Sequence, residues 1–300
     1  MRLLSILFLI FLQVICYSQQ KVSLLFMGDV MGHDGQLQAA YNPEKMIYEF
    51  DTCFSYISPI ISLYDFAIAN LEVTLNCTPY KGYPSFSSPA SLASALVAHG
   101  VDCFVTANNH SADRGKTGVI NTIKALDSIG VMHTGTFINV KERKKTYPLI
   151  FEKNGIRIAL LNCTYGLNGL PVPEGTVINL IDTLQIKEDI ARAKSVNADV
   201  IIMFIHWGVE YELQPNTEQI NIADFLRNQG VHAVIGSHPH VVQRAEWYKS
   251  DNFFRVYSLG NFISNQRTQP RDGGMMIELE FEKQSNSVSI TKAGYILTWV

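Results

Sequence analysis

Five short apolar runs in this sequence each end on residues able to hold a metal or move a proton. Asp29 follows Leu24-Leu25-Phe26-Met27-Gly28, Glu72 follows Ala67-Ile68-Ala69-Asn70-Leu71, and Asn109-His110 follow Phe104-Val105-Thr106-Ala107-Asn108. His206 follows Ile201-Ile202-Met203-Phe204-Ile205, and His238 and His240 follow Ala233-Val234-Ile235-Gly236-Ser237. Taken singly, such a residue is more often a strand cap or turn. Five of them point to one site, because ligands and catalytic groups gather at the carboxyl ends of strands in open α/β sheets. Two carboxylates, one amide and three imidazoles offer only nitrogen and oxygen donors, a set suited to zinc, manganese or iron and unlike a thiolate structural site. His238-Pro239-His240 is the most specific element. In an extended segment residues i and i+2 project to the same side, so both imidazoles would face one cluster, with proline stiffening the turn.

The elements that must position these residues follow from the apolar pattern. Val22 to Met27, Phe66 to Ala69, Cys103 to Ala107, Ile156 to Leu161, Val200 to Ile205 and Ala233 to Ile235 have the length and composition of buried strands. Between them lie amphipathic stretches of helical length at Glu44 to Ser62, Pro89 to His99, Thr117 to Ile129, Thr183 to Asn197 and Asn216 to Gln229. The alternation is that of an α/β protein. Gly100, Gly130 and Gly230 stand where helix-ending glycines are expected. Beyond residue 250, Phe253 to Leu259, Met275 to Phe281 and Val288 to Ala293 are strand-like without intervening helices, so an antiparallel portion is expected.

The 300 residues are 47% hydrophobic and 17% charged, enough to bury a full core, and no linker-like tract or repeat divides residues 19–300. One domain is expected, with the apolar ending Leu297-Thr298-Trp299-Val300 suggesting a clipped C-terminus. Met1-Arg2, the apolar run Leu3 to Ile15 and Cys16-Tyr17-Ser18 have the outline of a signal peptide cut after Ser18, too short for a membrane helix. Lipidation of Cys16, or an uncleaved anchor, is the competing reading. Every one of these readings places the domain outside the cytoplasm, in the periplasm, cell envelope or medium. Cleavage removes Arg2 from the 24 basic residues and leaves 23 against 27 acidic ones, a net charge of about −4, which lacks the basic footprint of a nucleic-acid binder. Cys53, Cys77, Cys103 and Cys163 remain; without a CxxC they argue against structural zinc, and buried free thiols are as good a reading as disulfides.

The ordered set Gly28-Asp29, Asn70-Leu71-Glu72, Asn108-Asn109-His110, Asp113-Arg114-Gly115, His206-Trp207-Gly208, Gly236-Ser237-His238-Pro239-His240 and Ser258-Leu259-Gly260-Asn261-Phe262 resembles the capsule synthesis protein CapA family. That family comprises poly-gamma-glutamate capsule proteins of the calcineurin-like metallophosphoesterase superfamily. The resemblance spans nearly the whole mature chain and implies a four-layer α/β/β/α sandwich with two mixed sheets and a dinuclear centre. It implies that Glu72 bridges two metals, that Asn109, His206 and His238 bind one and that Asp29 and His240 bind the other. His110 would assist the leaving group. Two departures from the superfamily stand out: Met31 replaces a histidine two residues after the first aspartate, and Glu72 replaces an aspartate. One metal site is therefore expected to be ligand-poor, holding the total to one or two divalent ions. His33, Arg114, Glu210 and Asn261 are further candidates for a metal or substrate contact, while His99, His133 and His232 are expected to be solvent-facing or satisfied histidines without a part in the site.

Two functions compete. In the first, a water acidified by coordination attacks a phosphoester and His110 protonates the departing oxygen. In the second, the protein is a non-catalytic or amide-directed accessory for synthesis, export or anchoring of poly-gamma-glutamate. Either implies an anionic partner, a small molecule or a cell-surface polymer, and membrane contact only through the N-terminus. A degenerate binding domain would have no need of His110.

Overall fold

A computed structural model describes residues 20–285 and 287–300; the expected signal peptide, with Cys16, lies outside them. Thirteen strands build two large sheets. In chain order they are β1 (Gln20–Val30), β2 (Phe66–Leu71), β3 (Cys103–Val105), β4 (Met132–Thr134), β5 (Leu149–Lys153), β6 (Ile156–Thr164), β7 (Val200–His206), β8 (Ala233–Ser237), β9 (Ala245–Tyr248), β10 (Phe253–Val256), β11 (Asn261–Ile263), β12 (Gly273–Gln284) and β13 (Ser287–Trp299). The first sheet runs β13-β12-β1-β2-β3-β4, with β11 beside the end of β1; the second runs β5-β6-β7-β8-β10-β9. Parallel pairing, β1-β2-β3-β4 in the first sheet and β6-β7-β8-β10 in the second, gives way to antiparallel pairing at β12 and β13 in the first and at both edges, β5 and β9, of the second. Both sheets are therefore mixed.

Period-two alternation sorts the side chains into layers. In β1, Val22, Leu24 and Phe26 enter the core between the sheets, where they meet Ile202 and Phe204 of β7 and Ile235 of β8. The intervening Leu25 and Met27 face outward, against Leu92, Leu96 and Leu126 of the helices Ser91–Ala98 and Gly115–Ile129. The second sheet mirrors this arrangement: Ile201, Met203 and Ile205 pack on Ile186, Ile190 and Leu226 of the helices Thr183–Ser195 and Thr217–Asn228. Strands dry on both faces explain the near-continuous apolar runs, each buried side chain contributing roughly 1.5–3 kcal/mol. The four-layer α/β/β/α sandwich implied by the family resemblance is the observed fold.

The helices at residues 91–98, 115–129, 183–195 and 217–228 match their expected positions. Asp182 and Asn216 cap the last two, and Gly130 ends the second in the left-handed region. Glu44 to Ser62, by contrast, is not one helix. It is part of a two-stranded turn, Tyr41–Asn42 with Ile47–Tyr48, followed by single helical turns at Asp51–Phe54 and Ser58–Ile61. Met46 takes φ 55°, and Pro59 lacks the N–H that a continuing helix would use. Cys103 and Cys163 are buried, and all four described cysteines are free.

Candidate metal centre

The strands deliver the six predicted donors to one place from both sheets. Asp29 lies near the end of β1, where the register with β2 shifts between Met27 and Asp29. Gly28 permits that approach, since a Cβ there would lie 2.0 Å from the carbonyl oxygen of Gly260. Glu72 follows β2, Asn109 lies in the loop after β3, His206 ends β7, and His238 and His240 follow β8. All six side chains are buried.

Two overlapping groups result. Donor atoms of Glu72, His206 and His238 lie within 4.8 Å of one another, as do those of Asp29, Glu72 and His240. Glu72 belongs to both. Asn109 joins the first group through Oδ1, 2.8 Å from His206 Nε2. In the second, His240 Nδ1 is 3.1 Å from Asp29 Oδ2, and Nε2 is 3.8 Å from Glu72 Oε1.

The electrostatics explain what such a cluster is for. Both carboxyl oxygens of Glu72 are buried without a hydrogen-bond partner among the described residues, as is Nδ1 of His238. Burial, then the charge of Asp29, holds the Glu72 carboxyl well above the usual carboxylate range. Burial, then His238 and His240, holds His206 well below its ordinary value. His238 is pushed down to about 3, first by burial and then by His240. His206 Nε2 lies 3.6 Å from Glu72 Oε1. Orphaned buried carboxyl oxygens are costly unless a cation supplies the missing partner. Oxygen and imidazole donors fit a divalent transition metal.

The route by which the two histidines converge differs from the sequence expectation. His238 and His240 are not in an extended segment; they have φ of 101° and 57°. Left-handed backbone on either side of Pro239, not the pleat of a strand, turns both rings into the cluster. Non-glycine residues in this region carry strain of about 1 kcal/mol or more, which surrounding structure must hold in place. The backbone N–H of His238 approaches Asp29 Oδ2 at 3.4 Å, and Asn261 Nδ2 approaches the His240 carbonyl at 3.4 Å.

His110 stands beside the donors. Its Nδ1 is 2.8 Å from Asp113 Oδ2, which also accepts from the backbone N–H of Phe86 at 2.6 Å. The Phe86 ring packs edge-on against His110 at 4.7 Å. The His33 ring also packs edge-on against Phe86, ring centroids 5.2 Å apart, with its backbone N–H bonded to Gln36 at the start of the helix Asp34–Ala40. It is half-buried and outside both donor groups. Met31, at the departure from the superfamily, is buried in the helix-facing core. Arg114 reaches the Pro79 carbonyl, Glu210 is exposed near Tyr165 and Tyr211, and Asn261 braces the loop carrying His240.

Four residues of the site were not singled out by sequence reasoning. Asn70 donates from Nδ2 to Asp29 Oδ1 at 2.8 Å and meets His206 Nδ1 at 3.2 Å. Asp113 holds His110. Tyr165, directly after β6, lays its half-exposed ring 4.6 Å from that of His238 and nearly parallel to that of His206. Asn168 accepts from Asn109 Nδ2 at 3.2 Å. Asn70 and Asp113 fell within quoted motifs, but Tyr165 and Asn168 lie in a loop that carries no pattern.

Two mixed sheets sandwiched by helices, with carboxylates, an amide and histidines at their strand ends, form the fold seen in calcineurin-like phosphoesterases. The fold of the calcineurin-like phosphoesterase YfkN from Bacillus subtilis is similar, with TM-score 0.59 and 16% identity, covering 94% of this chain and 91% of that one. The family profile of the bacterial capsule synthesis protein PGA_cap matches residues 23–266, and the chain belongs to that family. Among curated relatives it is 27% identical to the capsule biosynthesis protein CapA of Bacillus anthracis over 90% of this chain and 66% of the relative. It is 28% identical to the PGA biosynthesis protein CapA of Bacillus subtilis (strain 168) over 87% of this chain and 68% of the relative. The chain thus spans about two thirds of the length of these relatives.

Proposed function

We propose that this protein is an exported, metal-dependent phosphoester hydrolase that serves the metabolism of a cell-surface polymer or capsule. The observation that carries this reading is the His110–Asp113 pair, 2.8 Å apart, beside a buried donor cluster whose central carboxyl has no hydrogen-bond partner among the described residues. Glu72, His206 and His238, with Asn109 beside them, would hold one divalent ion, and Asp29, Glu72 and His240 would hold a second where two bind. Manganese, iron and zinc all suit this donor set. Bound there, such ions supply Lewis-acid stabilisation and acidify a water to near-neutral pKa.

The protein's own residues do the rest. With Nδ1 of His110 committed to Asp113, the proton exchanged with substrate is the one at Nε2, as a general acid at a leaving oxygen requires. Phe86 and Asp113 fix the ring between them. Tyr165 forms a wall over His206 and His238 and limits water access from that side. Support for export comes from the apolar run at Leu3 to Ile15 and from the capsule and PGA biosynthesis roles named for the two curated relatives. No helix among the described residues is long and apolar enough to cross a membrane.

An accessory role in poly-gamma-glutamate synthesis or export would need the metals but not the His110–Asp113 pair. Metal analysis of purified protein, followed by assays on phosphomonoesters, phosphodiesters and gamma-glutamyl polymers with manganese, iron or zinc, separates the readings. Metal-dependent phosphoester turnover is expected. Metal-loaded protein that turns over none of the phosphoesters defeats the hydrolase reading.

A further inference from the structure

The hydrogen bonds around Asn109 form a chain whose direction is set at one end. The Asp29 carboxylate can only accept, so the amide of Asn70 must present Nδ2 to it, at 2.8 Å. The same Nδ2 meets His206 Nδ1 at 3.2 Å. An amide nitrogen cannot accept, so this contact is a hydrogen bond in the tautomer that keeps the lone pair at Nδ1 and the proton at Nε2. That proton needs an acceptor, found in Asn109 Oδ1 at 2.8 Å. Nδ2 of Asn109 then points away, to Oδ1 of Asn168 at 3.2 Å, where the Tyr165 hydroxyl also approaches at 3.4 Å.

The chain has a weak link. A histidine that binds a metal through Nε2 must give up the proton there, and Ser237 Oγ, 3.0 Å from Nδ1, is the group able to accept a proton moved to the other nitrogen. Asn109 Oδ1 then loses its one donor among the described residues, and no other hydrogen bond there keeps the amide from rotating to present NH2, which cannot bind a cation. What remains is the bond from Nδ2 to Asn168. The loop bearing Asn168 is suited to hold still: Leu167 is buried against Ala107, Val119 and Ile123, Leu170 N–H bonds to the Leu167 carbonyl, and Asn168 takes the left-handed conformation, φ 51°.

We infer that Asn168 is a positioning residue, which locks the Asn109 amide with its oxygen toward the metal cluster. The inference rests on the metal-binding reading above and concerns this chain's residues only. Two substitutions test it. Asn168→Gly removes the acceptor without opposing the positive φ, and Asn168→Asp keeps an acceptor oxygen in place. Each variant and the wild type are stripped with chelator and titrated calorimetrically with Mn²⁺, and the melting temperature of each stripped protein is measured alongside.

Asn168→Gly is expected to weaken Mn²⁺ binding by about 10- to 100-fold, the usual scale for loss of a group that orients a ligand. Asn168→Asp is expected to bind at least as tightly as the wild type, and all three stripped proteins are expected to melt alike. The inference is overturned if Asn168→Gly binds Mn²⁺ as the wild type does, or if Asn168→Asp is as weak as Asn168→Gly. Failure of the wild type itself to bind Mn²⁺, Fe²⁺ or Zn²⁺ would instead remove the metal-binding reading.

Discussion

At the scale of single residues, adjacent side chains divide the labour. Asn109 faces the donor cluster through Oδ1, while His110 turns to Asp113. His110→Ala is expected to retain metal and lower turnover by about 10² to 10⁴, the range of general acid catalysis. Asn109→Ala is expected to lose metal and activity together; metal content and turnover measured on the same preparations check both. Wild-type turnover in His110→Ala would remove its catalytic role, and loss of metal would make it a structural support. The donors were legible in the sequence because each interrupts a dry run at its end, where a polar residue needs a reason. Their supports were not: Asn168 matters through one bond to Asn109, and no spacing along the chain encodes that bond. Nor did the His238-Pro239-His240 spacing reveal the left-handed backbone that aims both rings.

Among the elements, the strands and four of the helices were readable because burial on both faces or on one stripe leaves a periodic trace. Glu44 to Ser62 carried enough apolar residues to imitate a helix, yet its backbone turns at Met46 and its packing comes from isolated anchors such as Phe50 and Phe54. His232, between the helix Thr217–Asn228 and β8, is a satisfied histidine and not a solvent-facing one, the sequence having left both open. Its Nδ1 lies 3.1 Å from the backbone N–H of Ile201, and burial, then Lys194, pushes it from 6.5 down to about 4. The folded protein therefore holds this ring neutral where the unfolded chain would protonate it. Its contribution is full above pH 6.5 and is lost as pH falls from 6.5 towards 4, about 3 kcal/mol in all. Urea denaturation at several pH values is expected to show His232→Gln losing less stability over that interval than the wild type. Equal losses would mean that other groups govern the acid limb.

For the molecule as a whole, the site draws Asp29, Glu72 and Asn109 from the first sheet and His206, His238 and His240 from the second. Binding that requires both sheets in register is linked to folding. Stripping with chelator is expected to lower the melting temperature by roughly 5 °C or more, since ligand at 100 times its Kd contributes about 2.7 kcal/mol. In His238→Ala the chelator-dependent shift is expected to disappear; a shift of wild-type size there would place the binding elsewhere. Because the donors from one sheet end at residue 109 and those from the other begin at residue 206, a bound ion would act as a clasp between two separable lengths of chain. A protein cut once in the helix Val140–Thr146, which buries none of its residues, would leave the two sets on different fragments. Such fragments should reassemble more tightly with Mn²⁺ than with chelator, so that the ion governs the cohesion of the pieces as well as their chemistry.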